Sequence, residues 1–234
     1  MHFFESGHRE RVGVVIFHVV SPTTPIEAGA SIDMRRQKLL PEQFYQQPVL
    51  TVARQLPGKL LCRYSRAGLT VGRIVETEAY LSEGDSASHT FKGPNRKNKS
   101  MFGPAGRAYV YTIHARQCVN VVTEPVGTGS AVLIRAVEPL NGIELMQRRR
   151  KTNVLRDLCR GPARLCEAFD IGRSFDGWNL MSGRRMWIAD SDEGFADEVA
   201  ASRRIGVTSA ADLPYRFFLK RNSFVSGTRS FNRS

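Results

Sequence analysis

Hydrophobic and polar residues alternate along the segment 71–80, which reads VGRIVETEAY. Such alternation is typical of a β-strand, because successive side chains of a strand point to opposite faces. One face of the predicted strand carries Gly72, Ile74, Glu76, Glu78 and Tyr80. The other face carries Val71, Arg73, Val75, Thr77 and Ala79. Burying an unpaired carboxylate is costly, so two glutamates on a largely apolar strand indicate either a polar site or a solvated edge strand.

The segments around this strand predict a mixture of helices and β-hairpins. Residues 39–58 are predicted to form two helical pieces that break at Gln47-Pro48. The strand 71–80 is the second arm of a predicted hairpin that turns at 66–68. Further strands are predicted at 107–122 (a hairpin with HARQ at its tip), 130–140, 187–188 and close to the C-terminus, and further helices at 141–151 and from 161 onward.

Composition favours a basic globular protein. The 234 residues include 34 Lys and Arg against 22 Asp and Glu, which gives a formal net charge of +12. A surface of this charge attracts polyanions, and nucleic acid is the first partner to consider, although a basic protein can also be merely soluble. The four cysteines form no Cys-x-x-Cys pair and are expected to be reduced, buried thiols. The chain contains no run of about 18 apolar residues that would predict a membrane span.

Residues 1–34 differ from the rest of the chain, and we expect a flexible N-terminal extension there. The apolar run Val12–Val20 and the later Ala28-Gly29-Ala30 resemble parts of a secretory signal. Against export, His18 interrupts the run and acidic residues precede it. Met34 offers an alternative start, so an over-extended N-terminus is a second interpretation. The folded domain is expected to occupy residues 35–234.

Three side chains outside the strand 71–80 are candidates for chemistry. Arg135 interrupts an apolar strand, and a buried arginine needs a carboxylate or a ligand; Glu76 or Glu78 could serve, in a site or in a purely structural ion pair. His89 lies early in a long loop, 82–106, where it is either a functional or an ordinary surface residue. Tyr111 shares one face of its predicted strand with Tyr109 and Ile113, and is either functional or a core aromatic residue.

Several separated blocks resemble one known family. GRIVETEAYL, SASHTFKGPNRKNKSMFGPAGRAYVY, CVNVV, AVLIRAVEPL and CRGPARLCEAF are similar to the alkyladenine (3-methyladenine) DNA glycosylase family, in its order and with nearly its spacing. The resemblance covers residues 39–227. It implies an α+β fold, in which a single compact domain has a curved antiparallel β-sheet, a protruding β-hairpin and flanking helices.

The resemblance also implies the activity. It indicates a monofunctional hydrolase of base excision repair that flips alkylated and some deaminated purines out of double-stranded DNA and leaves an abasic site. It implies no metal and no cofactor. The expected protein is a monomer that stays inside the cell, in the cytoplasm and nucleoid or the nucleus, and is not secreted. The rival interpretations are a damaged-DNA-binding protein that no longer cleaves and a generic basic nucleic-acid-binding domain.

The resemblance assigns roles to individual residues. Glu78 matches the general base that activates a water, and Arg135 matches the arginine that helps to hold this water. The residues that match the pocket for the flipped base are Tyr80, His89, Tyr111 and Asn120, of which Asn120 obstructs the exocyclic amino group of guanine. Glu76 is expected to be structural, because a cationic alkylated purine leaves as a neutral base and needs no general acid.

The hairpin tip departs from the family pattern. The family carries a tyrosine followed by Gly-Met, and that tyrosine wedges into the duplex, whereas this chain reads Ile113-His114-Ala115-Arg116-Gln117 in a shorter loop. His114 stands nearest to the wedge position, and Arg116 is the alternative. Candidates for phosphate contacts are the basic residues Arg96, Lys97, Lys99, Lys220 and Arg221, with Arg148 and Arg149 as further possibilities.

Overall fold

The strand that carries both glutamates lies inside the sheet rather than at its edge. In the computed structural model, which describes residues 38–191, 193–228 and 232, this strand is β2 (Gly68–Tyr80). The long strand β5 (Ser130–Asn141) pairs with it along one side. On the other side, β1 (Leu60–Ser65) pairs with its first half, and β8 (Arg216–Leu219) pairs with residues 76–78. The solvated edge strand is therefore excluded.

All strand pairs in the described part of the chain are antiparallel and belong to one sheet. The remaining strands are β3 (Ala108–Ile113), β4 (Arg116–Thr123), β6 (Met186–Ala189) and β7 (Val199–Ser202). The order is β3-β4-β5-β2-β1-β6, with β8 pairing with both β2 and β7. The helices are α1 (Glu42–Tyr45), α2 (Val49–Gln55), α3 (Ile143–Arg150) and α4 (Pro162–Ala168). This curved sheet with a few helices in one compact domain confirms the predicted α+β class.

Two irregularities bend the centre of the sheet. Val75 on β2 and Arg135 on β5 have no directly opposite residue, because the register shifts at each of them. An extra residue of this kind twists the strand and redirects the side chains beyond it. Ile74 and Val75 consequently both pack in the main hydrophobic core. Strict alternation, which placed Ile74 on the face of the glutamates, is therefore wrong at this point.

The helices cover the face of the sheet opposite to the glutamates. The hydroxyl of Thr77 on β2 donates a hydrogen bond of 2.6 Å to the carbonyl of Ala53 in α2. Ala79, next on the same face, is fully buried in the core. Helix α4 packs against β4 and β5, and α3 packs against α4. The apolar core on this face holds β2 rigidly and leaves Glu76 and Glu78 on the other face.

Most other predicted elements are present at nearly the expected places. The helical pieces break at Gln47-Pro48, and both predicted hairpins form. All four cysteines are free and buried, as expected. Within the described residues, no helix has the length and apolarity that crossing a membrane requires. The predicted N-terminal extension, residues 1–34, lies outside the described residues.

Candidate active site

Arg135 joins the two buried glutamates of β2. Its Nε lies 3.1 Å from Oε1 of Glu76, and its Nη1 lies 3.2 Å from Oε1 of Glu78. Both glutamates are fully buried, and Arg135 is 9% exposed. Two buried carboxylates would repel each other strongly, and the guanidinium between them relieves that repulsion. Glu76 and Glu78 were alternative partners of Arg135 in the sequence interpretation, and Arg135 contacts both of them.

Glu76 is enclosed by a structural network. Its Oε1 accepts hydrogen bonds from Nε of Arg216 (2.6 Å) and from the hydroxyl of Ser226 (2.9 Å), in addition to Arg135. Its Oε2 accepts a hydrogen bond of 2.6 Å from the amide of Ser226. Burial alone would raise the pKa of Glu76, but the charges of Arg135 and Arg216 and these hydrogen bonds outweigh it and lower the pKa. Glu76 is thus held in its ionised form.

Glu78 has a different environment. Its Oε1 accepts a hydrogen bond of 2.7 Å from the amide of Ile205, and its Oε2 accepts one of 2.9 Å from the hydroxyl of Tyr80. Burial raises the pKa of Glu78, and the charge of Arg135 together with these hydrogen bonds offsets only part of the rise. The two neighbouring carboxylates are therefore shifted in opposite directions, an arrangement typical of sites that separate acid–base roles.

A cavity of ≈ 280 Å³ opens on the glutamate face of the sheet. It is lined by residues of β2–β4 and of two loops: Tyr80, Ser86, Ala87, His89, Met101, Tyr109, Tyr111, Ile113, Asn120, Gly206, Val207, Thr208 and Ser209. The carboxylate of Glu78 does not line the cavity itself. It accepts a hydrogen bond from the hydroxyl of Tyr80, which does line the cavity. The cavity brings together all four residues predicted for the base pocket.

Aromatic rings form one wall of the cavity. The rings of Tyr109 and Tyr111 stack with centroids 5.6 Å apart, and the imidazole of His89 meets Tyr111 edge-on at 4.6 Å. Nδ1 of His89 lies 3.0 Å from the hydroxyl of Tyr109. Burial lowers the pKa of His89, so the imidazole is neutral at pH 7. Burial also raises the pKa of Tyr109 to about 12, so this hydroxyl keeps its proton.

Asn120 lies on β4 beside these rings and is 4% exposed. Its Nδ2 donates a hydrogen bond of 3.0 Å to the carbonyl of Tyr109 on the paired strand β3. This bond fixes the orientation of the carboxamide at the cavity wall. A polar group held rigidly in a pocket rejects ligands that cannot pair with it.

The hairpin tip turns in two residues, His114 and Ala115, with φ of 46° and 60°. Two successive positive φ angles are characteristic of the tight turn that matches the twist of a β-hairpin. His114 and Arg116 are exposed there and face an open groove beside α4. Ile113, just before the turn, lines the cavity and is 46% exposed. The apolar side chain at the cavity mouth is therefore Ile113, a role that the sequence did not assign.

The basic candidates fall into separate regions. Arg96, Lys97 and Lys99 are exposed on a loop that Asn98 ties to the cavity, because Nδ2 of Asn98 donates a hydrogen bond of 2.8 Å to the carbonyl of His89. Lys220 and Arg221 are exposed just after β8. The next residue, Asn222, donates to Glu138, which pairs with Arg73.

That pairing places Lys220 and Arg221 about 20 Å along β2 from the cavity, judged by the rise of a strand. Arg148 and Arg149 lie in α3, which packs near the first residues of β2, at the end opposite to Tyr80. Arg149 donates to the carbonyl of Ala168 and the hydroxyl of Ser65 and so has a structural role. Of these groups, the loop 96–99 is the one beside the cavity.

The sequence missed several residues of the site. Arg216 and Ser226, which hold Glu76, come from the C-terminal segment. Ile205 and the loop 206–209 reach the site from the connection between β7 and β8. Tyr109 could have been found, because it shares a strand face with Tyr111. The C-terminal residues carry no local signal for their position, since they reach the site through pairing of β8 with β2.

A family model described as methylpurine-DNA glycosylase matches residues 43–223. The chain belongs to the methylpurine-DNA glycosylase family. A protein of Chlorobaculum parvum named "Putative 3-methyladenine DNA glycosylase" is 44% identical over 194 residues, covering 82% of this chain and 92% of the relative. Proteins of the same name from Methanoculleus marisnigri and Mesorhizobium japonicum are 45% and 47% identical, covering 80% and 76% of this chain and 98% and 86% of the relatives.

Membership of the methylpurine-DNA glycosylase family confirms the resemblance seen in the sequence blocks. It makes the protein a DNA glycosylase, a hydrolase of N-glycosyl bonds with damaged DNA as its substrate. The matched region begins in α1 and extends past β8, so it contains the whole sheet, the cavity and both glutamates. The generic nucleic-acid-binding domain is thereby excluded.

Proposed function

We propose that this glycosylase flips a damaged purine from duplex DNA into the cavity beside Tyr80. The damaged purine is an alkylated base or, in some cases, a deaminated one. A water activated by Glu78 then attacks C1′ of the sugar, the N-glycosidic bond breaks, and an abasic site remains. The observation that carries the proposal is the buried carboxylate of Glu78, which contacts Arg135 and the hydroxyl of the cavity-lining Tyr80. No cofactor takes part in this scheme.

The hydrogen bonds of Glu78 support Oε2 as the oxygen that binds the water. A carboxylate offers about two acceptor positions on each oxygen. Oε1 already contacts the amide of Ile205 and the guanidinium of Arg135. Among the described residues, Oε2 receives one hydrogen bond, from Tyr80. Its second acceptor position is available to a water that would stand between the carboxylate and the flipped nucleotide.

The electrostatics of Glu78 suit a general base. Burial raises its pKa, and a base of raised pKa takes a proton from water more readily than an ordinary carboxylate. The sugar gains positive charge as the bond to the base lengthens, and a nearby carboxylate stabilises that charge. The charge of Arg135 favours the ionised form of Glu78 and opposes the effect of burial, and its contact with Oε1 fixes the orientation of the carboxylate.

Glu76 takes no part as an acid in this scheme. Arg135 and Arg216 lower its pKa, so it has no proton to give at neutral pH. An N-alkylated purine carries a positive charge and departs as a neutral base, so its departure needs no proton. The structure of the Glu76 network therefore favours cationic lesions as the substrates that this site hydrolyses fastest.

The cavity wall supports recognition of such a base. Tyr80 and Tyr111 offer electron-rich rings, and attraction of a cation to an aromatic face contributes about 0.5–2 kcal/mol. His89 is neutral at pH 7 and does not repel a positive base. We propose that Asn120, fixed by the carbonyl of Tyr109, obstructs the exocyclic amino group of guanine.

Duplex binding is proposed to come from the hairpin tip and the basic loop. Ile113 supplies apolar surface at the cavity mouth, and His114 is the exposed turn residue beside it. One or both fill the space that the flipped base leaves. Arg96, Lys97 and Lys99 lie beside the cavity and are proposed to contact phosphates, with Lys220 and Arg221 as more distant contacts.

Base release combined with trapping tests the mechanism. The lining residues in the described part of the chain include no lysine that could form a Schiff base with the abasic sugar. Methylated duplex DNA should therefore yield free bases and intact strands, and borohydride should trap no covalent complex. Trapping, or strand cleavage by the protein, would contradict the water mechanism, and damage-selective binding without base release would favour the non-catalytic binding protein.

A further inference from the structure

Asp85 and Arg204 form a buried ion pair at the edge of the cavity. Nη1 of Arg204 lies 2.7 Å from Oδ2 of Asp85, and Nη2 lies 2.7 Å from Oδ1. Both side chains are completely buried. Such a two-point contact fixes the relative orientation of the two groups as well as their distance. The pair joins segments 119 residues apart in the chain.

On one side, the pair holds the loop that follows β2. The carboxylate of Asp85 also accepts hydrogen bonds from the amides of Leu81 (3.1 Å) and Ala87 (3.2 Å). The loop therefore wraps around this carboxylate. Ala87 and His89, which come next, line the cavity. One wall of the cavity is thus anchored on Asp85.

On the other side, the pair holds the segment between β7 and β8. Nη1 of Arg204 donates a hydrogen bond of 2.9 Å to the carbonyl of Ala79, and the guanidinium lies 4.7 Å from the centre of the Tyr80 ring. The next residue, Ile205, donates its amide to Glu78. Residues 206–209, which follow, also line the cavity.

We propose that the Asp85–Arg204 pair is a positioning device that fixes two segments lining the base cavity relative to each other and aligns Ile205 with Glu78. The inference rests on the proposed function of Glu78 and of the cavity. Neither member of the pair lines the cavity, so both act through other residues. A buried ion pair is on its own weak evidence for stability, because well-packed apolar residues often serve as well. The positioning role follows from what the pair holds. It is attached to both lining segments, it contacts the Tyr80 ring, and it precedes Ile205, the residue that binds Glu78.

The test compares Arg204→Lys and Asp85→Asn with the wild type. Arg204→Lys keeps the charge but loses the two-point contact and the planar group over Tyr80. Asp85→Asn is nearly isosteric and removes the charge. The matched control is Arg63→Lys, which alters another buried arginine paired with an aspartate, Asp170, near the far end of β2. Base release is measured in single turnovers on methylated duplex across pH, together with affinity for undamaged duplex and unfolding by urea.

We expect both variants to release bases roughly 10–100-fold more slowly than the wild type. Displacing a catalytic group by about 1 Å typically reduces the rate by a factor of this size. The pH at which activity falls on the acid side should move upward, because Ile205 no longer supports ionised Glu78. Affinity for undamaged duplex should stay unchanged, and Arg63→Lys should match the wild type.

Wild-type rates with an unmoved pH profile in folded Asp85→Asn would overturn the positioning role, as would an equal loss in Arg63→Lys. If Arg204→Lys does not fold, the result with Asp85→Asn decides whether the pair has a positioning role. If neither variant folds, the pair is required for folding and the positioning role is rejected. Absence of base release by the wild type would instead reject the proposed function, so the two failures are distinguishable.

Discussion

Nη1 of Arg135 lies 3.2 Å from Oε1 of Glu78, and the same guanidinium binds Glu76 through Nε. This single arginine therefore links a carboxylate whose pKa is lowered to one whose pKa is raised. The difference follows from the number of charged partners, since Arg216 adds a second guanidinium to Glu76 alone. Two neighbouring residues of one chemical type can thus carry separate roles, one in stability and one in chemistry.

Glu76→Gln should destabilise the fold. The change removes the buried charge that pairs with Arg216 and Arg135, and breaking a buried pair typically costs about 3–5 kcal/mol in the free energy of unfolding. Urea unfolding at pH 7 measures the loss. Glu144→Gln is the control, because Glu144 pairs with Arg148 at the surface at 3.9 Å and should be dispensable.

The pH dependence of stability gives a second readout for Glu76. Its pKa is lowered in the folded protein, so its contribution is present above the pKa of an unfolded glutamate and is lost as the pH falls through the folded pKa. The difference in stability between wild type and Glu76→Gln should therefore shrink in acid. A constant difference at all pH values would contradict the charged role of Glu76.

Tyr80→Phe should shift the acid side of the activity profile upward. The hydroxyl of Tyr80 donates to Glu78 and helps to lower the pKa of that carboxylate, against the larger effect of burial. Without the hydroxyl, Glu78 should take up a proton at a higher pH, and a protonated Glu78 cannot act as a base. Single-turnover base release between pH 4 and pH 8 measures the shift (roughly the range in which a raised carboxylate titrates). A downward shift would show that Tyr80 does not support the ionised form.

The basic loop beside the cavity should contribute to the salt dependence of duplex binding. The logarithm of the DNA-binding constant falls linearly with the logarithm of the salt concentration, and each lost phosphate contact makes this slope about 0.9 less steep. Lys97→Gln and Lys99→Gln should each lower the slope by about that amount, because both side chains are exposed next to the cavity. Arg148→Gln, at the opposite end of β2, should leave the slope unchanged. Equal effects of all three changes would point to non-specific attraction by the whole surface.

The hairpin tip should matter for duplex DNA more than for single strands. Ile113→Ala removes apolar surface at the cavity mouth and should slow base release from duplex while leaving single-stranded substrate unaffected. His114→Ala separates the contribution of the turn residue, and His114→Tyr should raise duplex activity if His114 is the wedge. Equal effects on both kinds of substrate would rule out a wedge at the position concerned.

Much of the site was predictable from local patterns. Two glutamates on one strand allowed either a polar site or a solvated edge, and a lone arginine on an apolar strand needed one of them as a partner; the structure buries and joins all three. Tyr80, His89, Tyr111 and Asn120 were assigned to one pocket through the family resemblance, and they line one cavity. Alternation also placed Tyr109, Tyr111 and Ile113 on the face that lines it.

The remainder depends on contacts between distant segments. Val75 and Arg135 are extra residues where the register between β2 and β5 shifts. The pattern of a single strand cannot predict such a shift, because it depends on the residues of the partner strand. Arg204 and Asp85 each look like ordinary loop residues until β7 and β8 join the sheet. Such residues acquire their burial, and therefore their role, from tertiary packing alone.

Base release by Glu78→Gln tests the central claim most directly. The substitution keeps the shape of the side chain but removes the base, and the wild type and variant are compared in single turnovers on methylated duplex DNA. The proposed mechanism predicts that release slows by roughly 10²–10⁴-fold, the typical contribution of a general base, while the affinity for damaged duplex is retained. Release at the wild-type rate by a folded Glu78→Gln protein would contradict the assignment of Glu78 as the base.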